Sequence, residues 1–331
     1  MRRRAFITLL GATAAAWPIA ARAQQGERMR RIGVLHNFAA DDAEAHLRIA
    51  AFRRRLQELG WIDGQNLEIN YGWAPGDTTR MRAEAAELVR LKPDVLIGAG
   101  TPIVVALQAE THTIPILFVQ VFDPVAAGLV SSLAHPGGNL TGITNFEHAV
   151  AGKWLELLKQ ISPQIARVAT LYFPKTAPYA GSYLRSLAAA APSFAVELVD
   201  TPIHDAAEIQ GAIDVFAQQQ SNGGLLVFPD ISTTYHRDLI IALAAKYKLP
   251  AMYPFRFFAR SGGLVAYGND PADAYRQIAS YVDQILRGRN PEELPVQAPV
   301  KFELIINLKT AKAFNLTIPD RLLALADEVI E

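Results

Sequence analysis

The sequence contains no cysteine among its 331 residues, and this absence removes several kinds of site at once. A disulfide framework, a thiolate metal centre and a cysteine nucleophile all need the thiol group. The chain also lacks a charge imbalance, because 32 Lys and Arg residues stand against 32 Asp and Glu residues. Outside the N-terminus no basic cluster is interleaved with aromatic residues, so we expect no nucleic-acid partner.

Motifs for catalysis are missing as well. The sequence has no Gly-x-Ser-x-Gly elbow and no His-Glu-x-x-His metal motif. Its seven histidines are scattered, and no pair has ligand spacing on one predicted helix. We therefore expect a protein that is not an enzyme and needs no metal or other cofactor.

Long hydrophobic runs are absent too, since the apolar stretch near the N-terminus covers only residues 7–16. This is shorter than the about 20 residues of a membrane-spanning helix, so we expect no transmembrane anchor. Arginines precede the stretch, and Ala21-Arg22-Ala23 follows it as a small-x-small cleavage site. Residues 1–23 are thus predicted to be a signal peptide for export to the periplasm. Arg3-Arg4 also fits the twin-arginine pattern, and the choice between that route and general secretion stays open.

The chain is organised around a strand, loop, helix, strand, loop segment at residues 92–125. Two short apolar runs, Val95–Ile97 and Ile116–Val119, have the composition of strands buried on both faces of a parallel sheet. Pro102–Glu110 has the length of a helix between them, which predicts a right-handed βαβ unit. Ligands of open α/β sheets bind beyond the carboxyl ends of the strands, so the two loops that follow these runs are candidates for a binding site.

Strands and helices alternate in two similar series, one before residue 145 and one from residue 151 to 267. With 331 residues, half of them hydrophobic, the chain is long enough for two domains. The pattern predicts an α/β protein with two doubly wound parallel-sheet domains. Within it we expect helices near Val125–Leu133 and Thr233–Tyr247, and a strand at Phe194–Val199.

Six segments distributed along the chain carry a family resemblance. They are FRRRLQELGW (52–61), LKPDVLIGAGTP (91–102), TIPILFVQVFDPVAAGLVSSLAHPGGNLTGITNF (113–146), GKWLELLKQISP (152–163), YHRDLIIALAAKYKLPAMYPFRFFARSGGLVAYGND (235–270) and LPVQAPVKFELIINLKTAKAFNLTIP (294–319). The sequence resembles the periplasmic substrate-binding components of ABC importers, in the group that includes tryptophan and aromatic amino acid binding proteins.

The resemblance implies a type I periplasmic-binding-protein fold, in which three connections between two lobes form a multi-strand hinge. Carried onto this chain, the N-terminal lobe comprises 30–145 plus 270–298, and the C-terminal lobe comprises 146–269 plus 299–331. The resemblance also implies two partners, a small-molecule ligand and a membrane permease. It leaves the identity of the ligand open, because members with these segments differ in substrate.

Candidate ligand-binding residues of the N-terminal lobe follow its strands. Gly100 and Thr101 precede a helix whose N-terminus suits an anion such as a carboxylate, but they also suit a plain turn capped by Thr101. Gln120 follows the next strand and is better placed for ligand contact. Asp123 either holds a ligand ammonium group or caps a helix at Pro124, and capping is the favoured interpretation.

Two asparagines lie at further strand ends. Asn37, with His36, ends the first strand and is expected at the mouth of the cleft. Asn145 lies where the first series gives way to the second, and it either faces the cleft or satisfies the hinge backbone.

Aromatic residues mark the strand ends of the C-terminal lobe. These aromatic residues either form a stacking wall for a planar or apolar group or pack into the core, and we expect about half of them to face the cleft. They are Tyr172, Phe173, Phe228, Tyr253, Phe255 and Tyr267. Asp230 follows another strand, and we expect it to meet a ligand amine.

These features predict a binding protein that closes two lobes on an amino acid or a planar aromatic carboxylate. Two alternatives remain, a secreted α/β enzyme that uses the same cleft and a ligand-sensing module that acts through a membrane receptor.

Overall fold

The computed structural model describes residues 28–145, 148–219, 222–299 and 301–331, which form two α/β lobes with one sheet each. The predicted signal peptide lies outside the described residues. Within the described ranges no helix is long and apolar enough to cross a membrane.

The elements before residue 145 alternate as the sequence predicted. They are β1 (Arg30–His36), α1 (Ala43–Glu58), β2 (Leu67–Trp73), α2 (Thr78–Arg90), β3 (Val95–Ala99), α3 (Thr101–Glu110), β4 (Ile116–Val121) and β5 (Leu140–Thr144). The later elements are α4 (Val150–Ile161), β6 (Arg167–Tyr172), α5 (Ala180–Ala190), β7 (Glu197–Pro202), α6 (Ala206–Gln219), β8 (Gly223–Val227), α7 (Ile231–Tyr235), α8 (Arg237–Lys246), β9 (Ala251–Tyr253), α9 (Arg256–Arg260), β10 (Val265–Gly268), α10 (Pro271–Leu286), β11 (Glu303–Asn307), α11 (Leu308–Ala313), α12 (Asp320–Leu325) and β12 (Glu328–Ile330).

The N-terminal lobe is built on a five-stranded parallel sheet of order β2-β1-β3-β4-β5. Every residue of β3 and β4 is buried, which explains why these strands appear in the sequence as unbroken apolar runs. Helices α1 and α10 cover one face of the sheet, and α2 and α3 cover the other. This order places the topological switch point between β1 and β3.

The C-terminal lobe repeats this arrangement in a seven-stranded sheet of order β12-β11-β10-β9-β8-β6-β7. All neighbours are parallel except β10 and β11. Its switch point lies between β6 and β8, as the one in the first sheet lies between β1 and β3. The two sheets therefore offer equivalent strand ends for a ligand.

The chain crosses between the lobes three times. It leaves the first sheet after β5, and it returns after β10 because the apolar face of α10, including Tyr275, Ile278 and Val282, packs on the first sheet. It then crosses back to supply β11. Several crossings make a hinge that permits closure around a ligand. The lobe boundaries given above stay a prediction.

The prediction of a helix near Val125–Leu133 was wrong. This segment forms turns, in which the backbone N–H of Gly128 donates to Val125 O at 3.0 Å. Gly128 has a φ of +70°, a left-handed conformation that ends helical continuation.

Two further predictions in the C-terminal lobe need correction. The single helix Thr233–Tyr247 is two helices, α7 and α8, separated at His236, whose ring stacks on Phe173. The predicted strand Phe194–Val199 starts later, at Glu197, because a 3-10 turn ends at Phe194 and the next residue has a φ of 51°.

Candidate ligand-binding site

A cavity lies between the lobes, where the carboxyl ends of both sheets meet. It opens to solvent, and the space between its lining atoms, including the part that belongs to open solvent, is about 370 Å³. Its lining comprises Asn37, Phe38, Arg48, Gly100, Thr101, Pro102, Gln120, Phe122 and Asn145 on one side, and Thr176, Tyr179, Pro229, Asp230, Ile231, Thr234 and Phe255 on the other. Six of the ten predicted site residues are among them, namely Asn37, Gly100, Thr101, Gln120, Asn145 and Asp230.

Arg48, on α1, is the charged group that the sequence analysis missed. Its side chain is 1% exposed, and its Nη1 donates to Gln120 Oε1 at 2.7 Å. The guanidinium lies 4.5 Å from the ring centroid of Phe38. Its Nε and Nη2 groups are buried and have no hydrogen-bond partner. Burial lowers the pKa of Arg48, because the charged form has lost its water.

Two further polar atoms of the N-terminal lobe are buried without a partner beside this arginine. They are the hydroxyl of Thr101 and Oδ1 of Asn37. Gly100, not Thr101, is the N-cap of α3, and no side chain caps that helix. The predicted capping role of Thr101 was therefore wrong. The Thr101 hydroxyl and the start of α3 remain able to donate to a ligand oxygen.

Gln120 and Asn145 both line the cavity, but their backbones are held in different ways. Gln120 has a φ of 56°, an uncommon left-handed conformation at an irregularity within β4, where the pairing with β5 shifts between Val119 and Val121. The backbone N–H of Asn145 donates to Val121 O at 2.8 Å, and its side chain lines the cavity. The Asn145 side chain therefore faces the cleft, one of its two predicted alternatives, and the bond to Val121 involves only its backbone.

Asp230 supplies a buried carboxylate from the C-terminal lobe. It caps α7, and three donors reach it: the backbone N–H groups of Phe173 at 2.9 Å and Ser232 at 2.8 Å, and the Thr176 hydroxyl at 2.6 Å. A carboxylate has about four acceptor positions, so one remains for a ligand. Burial raises the pKa of Asp230 to about 6, although these three hydrogen bonds act in the opposite direction.

The four other predicted site residues lie outside this cavity. Asp123 is exposed, and its Oδ1 accepts from Ala126 N at 3.0 Å, so it caps a turn and not the helix that the favoured interpretation predicted. Tyr172, Tyr253 and Tyr267 stack on Phe228, Phe258 and Phe302 within the C-terminal lobe.

The three tyrosines do not form the predicted stacking wall, because their rings point into the C-terminal lobe. All three tyrosines are the last or nearly the last residues within their strands, and their rings pack with the C-terminal hydrophobic core. The cavity is lined by aromatic residues in loops and at a helix start, Phe38, Phe122, Tyr179 and Phe255, of which Phe255 belongs to the predicted wall. The tendency of parallel-sheet ligands to lie beyond strands, not on them, was the available signal.

His36 lies behind the cavity, not at its mouth. It is fully buried, its ring stacks on Trp73 at 5.0 Å between centroids, and its Nδ1 is 3.2 Å from the hydroxyl of Tyr275. Burial, followed by the positive charge of Arg48, lowers the pKa of His36 to about 3. The ring is therefore neutral, and Arg48 is the cation of the site.

Two parallel-sheet lobes, joined by three crossings and separated by a polar cavity at both switch points, define the class of two-lobed ligand-binding proteins. Residues 36–330 match the family model described as ABC transporter substrate binding protein, and the chain belongs to this family. The resemblance seen in the sequence is thereby confirmed. The described part of the chain contains no group of three or more side chains suited to hold a metal ion.

The similarity to known relatives extends over most of this chain. It is 28% identical over 265 residues, 80% of this chain and 75% of the relative, to a protein of Clostridioides difficile (strain R20291) named tyrosine-binding protein. A conserved domain protein from Vibrio cholerae has a similar structure, with a TM-score of 0.84 and 29% identity over 91% of this chain and 100% of its own. An ABC domain from Streptococcus pneumoniae in complex with L-Trp has a TM-score of 0.83 and 24% identity, covering 91% and 99%.

Proposed function

We propose that this chain is the extracytoplasmic solute-binding protein of an ABC importer, located in the periplasm, and that it delivers its ligand to a membrane permease. In this proposal the lobes close on one small molecule in the cavity, and no bond is made or broken. The ligand carries a carboxylate and an aromatic or planar group, and an aromatic amino acid is its simplest form.

Arg48 is the observation that carries this proposal. An uncompensated guanidinium in a protein interior is unfavourable unless an anion pairs with it. The free Nε and Nη2 groups of Arg48 form the fork that a carboxylate fits in bidentate geometry. The unpartnered hydroxyl of Thr101 lines the same cavity and adds a donor.

The remaining lining fits the rest of such a molecule. Asp230 has one acceptor position free for an ammonium group, and Oδ1 of Asn37 is a second acceptor. The rings of Phe38, Phe122 and Phe255 supply apolar surface for a planar side chain. The names of the tyrosine-binding relative and of the structure in complex with L-Trp support the same ligand class.

A matched ligand set tests the proposal. Residues 24–331 are purified and heated with L-tyrosine, L-tryptophan, the decarboxylated amines tyramine and tryptamine, and the corresponding hydroxy acids. A ligand at a hundred times its Kd should add about 2.7 kcal/mol of stability. The acids should stabilise the protein and the amines should not. Equal stabilisation by tyramine and tyrosine would show that no carboxylate is recognised, and chemical conversion of any compound would point to an enzyme.

Binding of an amino acid is expected to weaken at acidic pH, because Asp230 must be ionised to accept a hydrogen bond from an ammonium group. The pKa of Asp230 is raised to about 6, so the carboxylate predominates above that pH and is lost as the pH falls. Affinity should therefore decrease below pH 6 and approach a loss of about tenfold per pH unit. Isothermal titration between about pH 5 and pH 7 measures this slope.

The control ligand is the hydroxy acid 3-(4-hydroxyphenyl)lactate, which has no ammonium group. Its affinity should not fall with Asp230 protonation. Identical pH profiles for tyrosine and this hydroxy acid would mean that Asp230 does not contact the ligand amine.

Gly100→Ala is expected to weaken ligand binding by obstructing closure. Gly100 has a φ of +94°, and an added Cβ would lie 3.0 Å from Cγ2 of Ile231 on the opposite lobe. The contact opposes the closed form, whereas the backbone strain, about 1 kcal/mol, destabilises the open and closed forms alike. Gly128→Ala is the matched control, since Gly128 has a φ of +70° but no atom near the added Cβ. Comparable loss of affinity in both variants would exclude a lobe-to-lobe effect.

A further inference from the structure

A second cavity lies at the hinge, directly beside the ligand cavity. It opens to solvent, and the space between its lining atoms, including the part that belongs to open solvent, is about 790 Å³. Phe122, Asn145 and Tyr179 line both cavities, so the two spaces share a wall. We call the second space the hinge pocket, and its other apolar lining residues are Pro124, Val125, Leu133, Tyr183 and Ala298.

The shared wall contains two stacked rings, one from each lobe. Phe122 follows β4 of the N-terminal lobe and is 7% exposed, and Tyr179 directly precedes α5 of the C-terminal lobe. Their ring centroids lie 4.2 Å apart with an angle of 26° between the planes. Rings at this separation are in van der Waals contact, so no ligand atom fits between them.

Other contacts hold this ring pair in place. The Tyr179 hydroxyl donates to the backbone oxygen of Pro229, the residue before Asp230. The ring of Tyr183 meets Phe122 edge-on, with 6.2 Å between centroids. The pair is therefore a fixed boundary of the ligand cavity and not a loosely placed surface group.

The ring pair lies at the end of the ligand cavity that a side chain would reach. Phe38 occupies the carboxylate end, because its ring centroid is 4.5 Å from the Arg48 guanidinium. The bond to Pro229 places the ring pair beside Asp230, the acceptor for the ligand ammonium group. An amino acid held by both charged residues has only its side chain left to extend toward the pair.

We propose that the Phe122–Tyr179 pair sets the upper length of the ligand, because it separates the ligand cavity from the hinge pocket. With both rings present, the site accepts a side chain with one compact ring system. Without the Phe122 ring the two spaces join, and the apolar hinge pocket takes the far end of a longer aromatic amino acid. This inference rests on the proposed function and specifies the size of the ligand that the site admits.

Two ligands that differ only at the far end of the side chain test the inference. L-tyrosine and O-benzyl-L-tyrosine have the same carboxylate and ammonium groups, and the second has an additional ring on the phenolic oxygen. Isothermal titration gives both Kd values for each variant of residues 24–331. The ratio of the two values cancels any effect that a substitution has on folding, on closure or on the charged contacts.

The parent protein should bind O-benzyl-L-tyrosine more weakly than L-tyrosine. Phe122→Ala should lower the ratio of the O-benzyl-L-tyrosine Kd to the L-tyrosine Kd by about 10-fold to 100-fold, the range for burial of one aromatic side chain. Phe122 also packs against the C-terminal hydrophobic core, so Phe122→Leu serves as a milder variant and should change the ratio in the same direction. Equal affinity of the parent protein for both ligands, or an unchanged ratio in both variants, would overturn the inference.

Phe38→Leu is the matched control, because Phe38 lines the ligand cavity but not the hinge pocket. It should weaken both ligands alike and leave the ratio unchanged. A ratio that falls as far in Phe38→Leu as in Phe122→Leu would mean that any enlargement of the ligand cavity admits the longer ligand.

Refilling the hinge pocket shows where the additional ring lies. Ser182, on α5, lines this pocket, so Ser182→Trp in the Phe122→Ala background should restore the ratio of the parent protein. Ser186→Trp is the control, since Ser186 lies about one turn further along the same helix and does not line the pocket. If Ser182→Trp does not restore the ratio, or if Ser186→Trp restores it equally, the hinge pocket does not hold the additional ring.

The two proposals fail in distinguishable ways. If neither L-tyrosine nor L-tryptophan binds the parent protein, the proposed ligand class is wrong and the inference about its length is wrong with it. If L-tyrosine binds the parent protein and the Kd ratio does not respond to either Phe122 variant, the proposed function stands and only the role of the ring pair is excluded.

Discussion

Replacement of Arg48 by methionine is expected to lower the affinity for L-tyrosine or L-tryptophan by about 30-fold or more. The loss of one member of a buried, hydrogen-bonded charge pair typically costs about 2–5 kcal/mol of binding free energy. Methionine keeps much of the packing against Phe38 but cannot donate to a carboxylate. Isothermal titration of the two proteins with the same ligand measures the difference.

The same variant should not be less stable in the absence of ligand. An unpaired buried charge is replaced by an apolar side chain, and such replacements are often neutral or stabilising. Arg54→Met is the control, because Arg54 lies on the same helix with its side chain 84% exposed. Unchanged affinity in Arg48→Met, or an equal loss in Arg54→Met, would contradict the assignment of Arg48.

The largest effect on stability is expected from Trp154→Ala, with a loss of about 3–5 kcal/mol in the free energy of unfolding. Trp154 is fully buried on α4, and its ring stacks on Tyr183 at 5.5 Å between centroids. Its Nε1 donates to Tyr267 O at 2.7 Å, which ties α4 to β10. Alanine would leave a large cavity and remove this donor. Urea unfolding followed by circular dichroism gives the change.

Two companion variants separate the contributions at this position. Trp154→Phe keeps an aromatic ring but removes the N–H donor, so it should cost about 1–3 kcal/mol. Lys153→Ala, at the exposed neighbouring position, should change stability by no more than about 0.5 kcal/mol. A cost for Trp154→Ala near that of Lys153→Ala would show that the C-terminal core does not depend on this ring.

Much of the fold was predictable because it follows from local chemistry. The apolar runs Val95–Ile97 and Ile116–Val119 became the buried strands β3 and β4. Asp42 and Asp270 accept backbone N–H bonds at the starts of α1 and α10, as short polar residues at helix starts commonly do. Such features depend on a few adjacent residues and can therefore be recognised locally. The strand and helix pattern also occurs twice along the chain, and this duplication indicates two lobes.

Six of the ten predicted site residues line the cavity for a topological reason. Gly100 and Thr101 follow β3, and Gln120 lies near the end of the adjacent parallel strand β4. Asp230 follows the strand at the equivalent switch point of the second sheet. The tyrosines were misplaced because strand-end position does not reveal which way a ring points. Their rings pack within the C-terminal lobe, and that depends on the partners each side chain finds in the folded chain.

Sequence alone determined the alternation of strands and helices, the family, and the loops that surround the cavity, because each follows from hydrophobic period, capping residues or resemblance. The role of Arg48 was decided only by tertiary structure. Arg48 and Ile49 are about 100° apart on α1, and the spacing of Ala45, Phe52 and Leu56 allows either to face inward. Burial of Arg48 arises from residues distant in sequence, Gln120 on β4 and Phe257 on the opposite lobe. No local pattern specifies such a meeting, since it exists only after both sheets have formed and the lobes have come together.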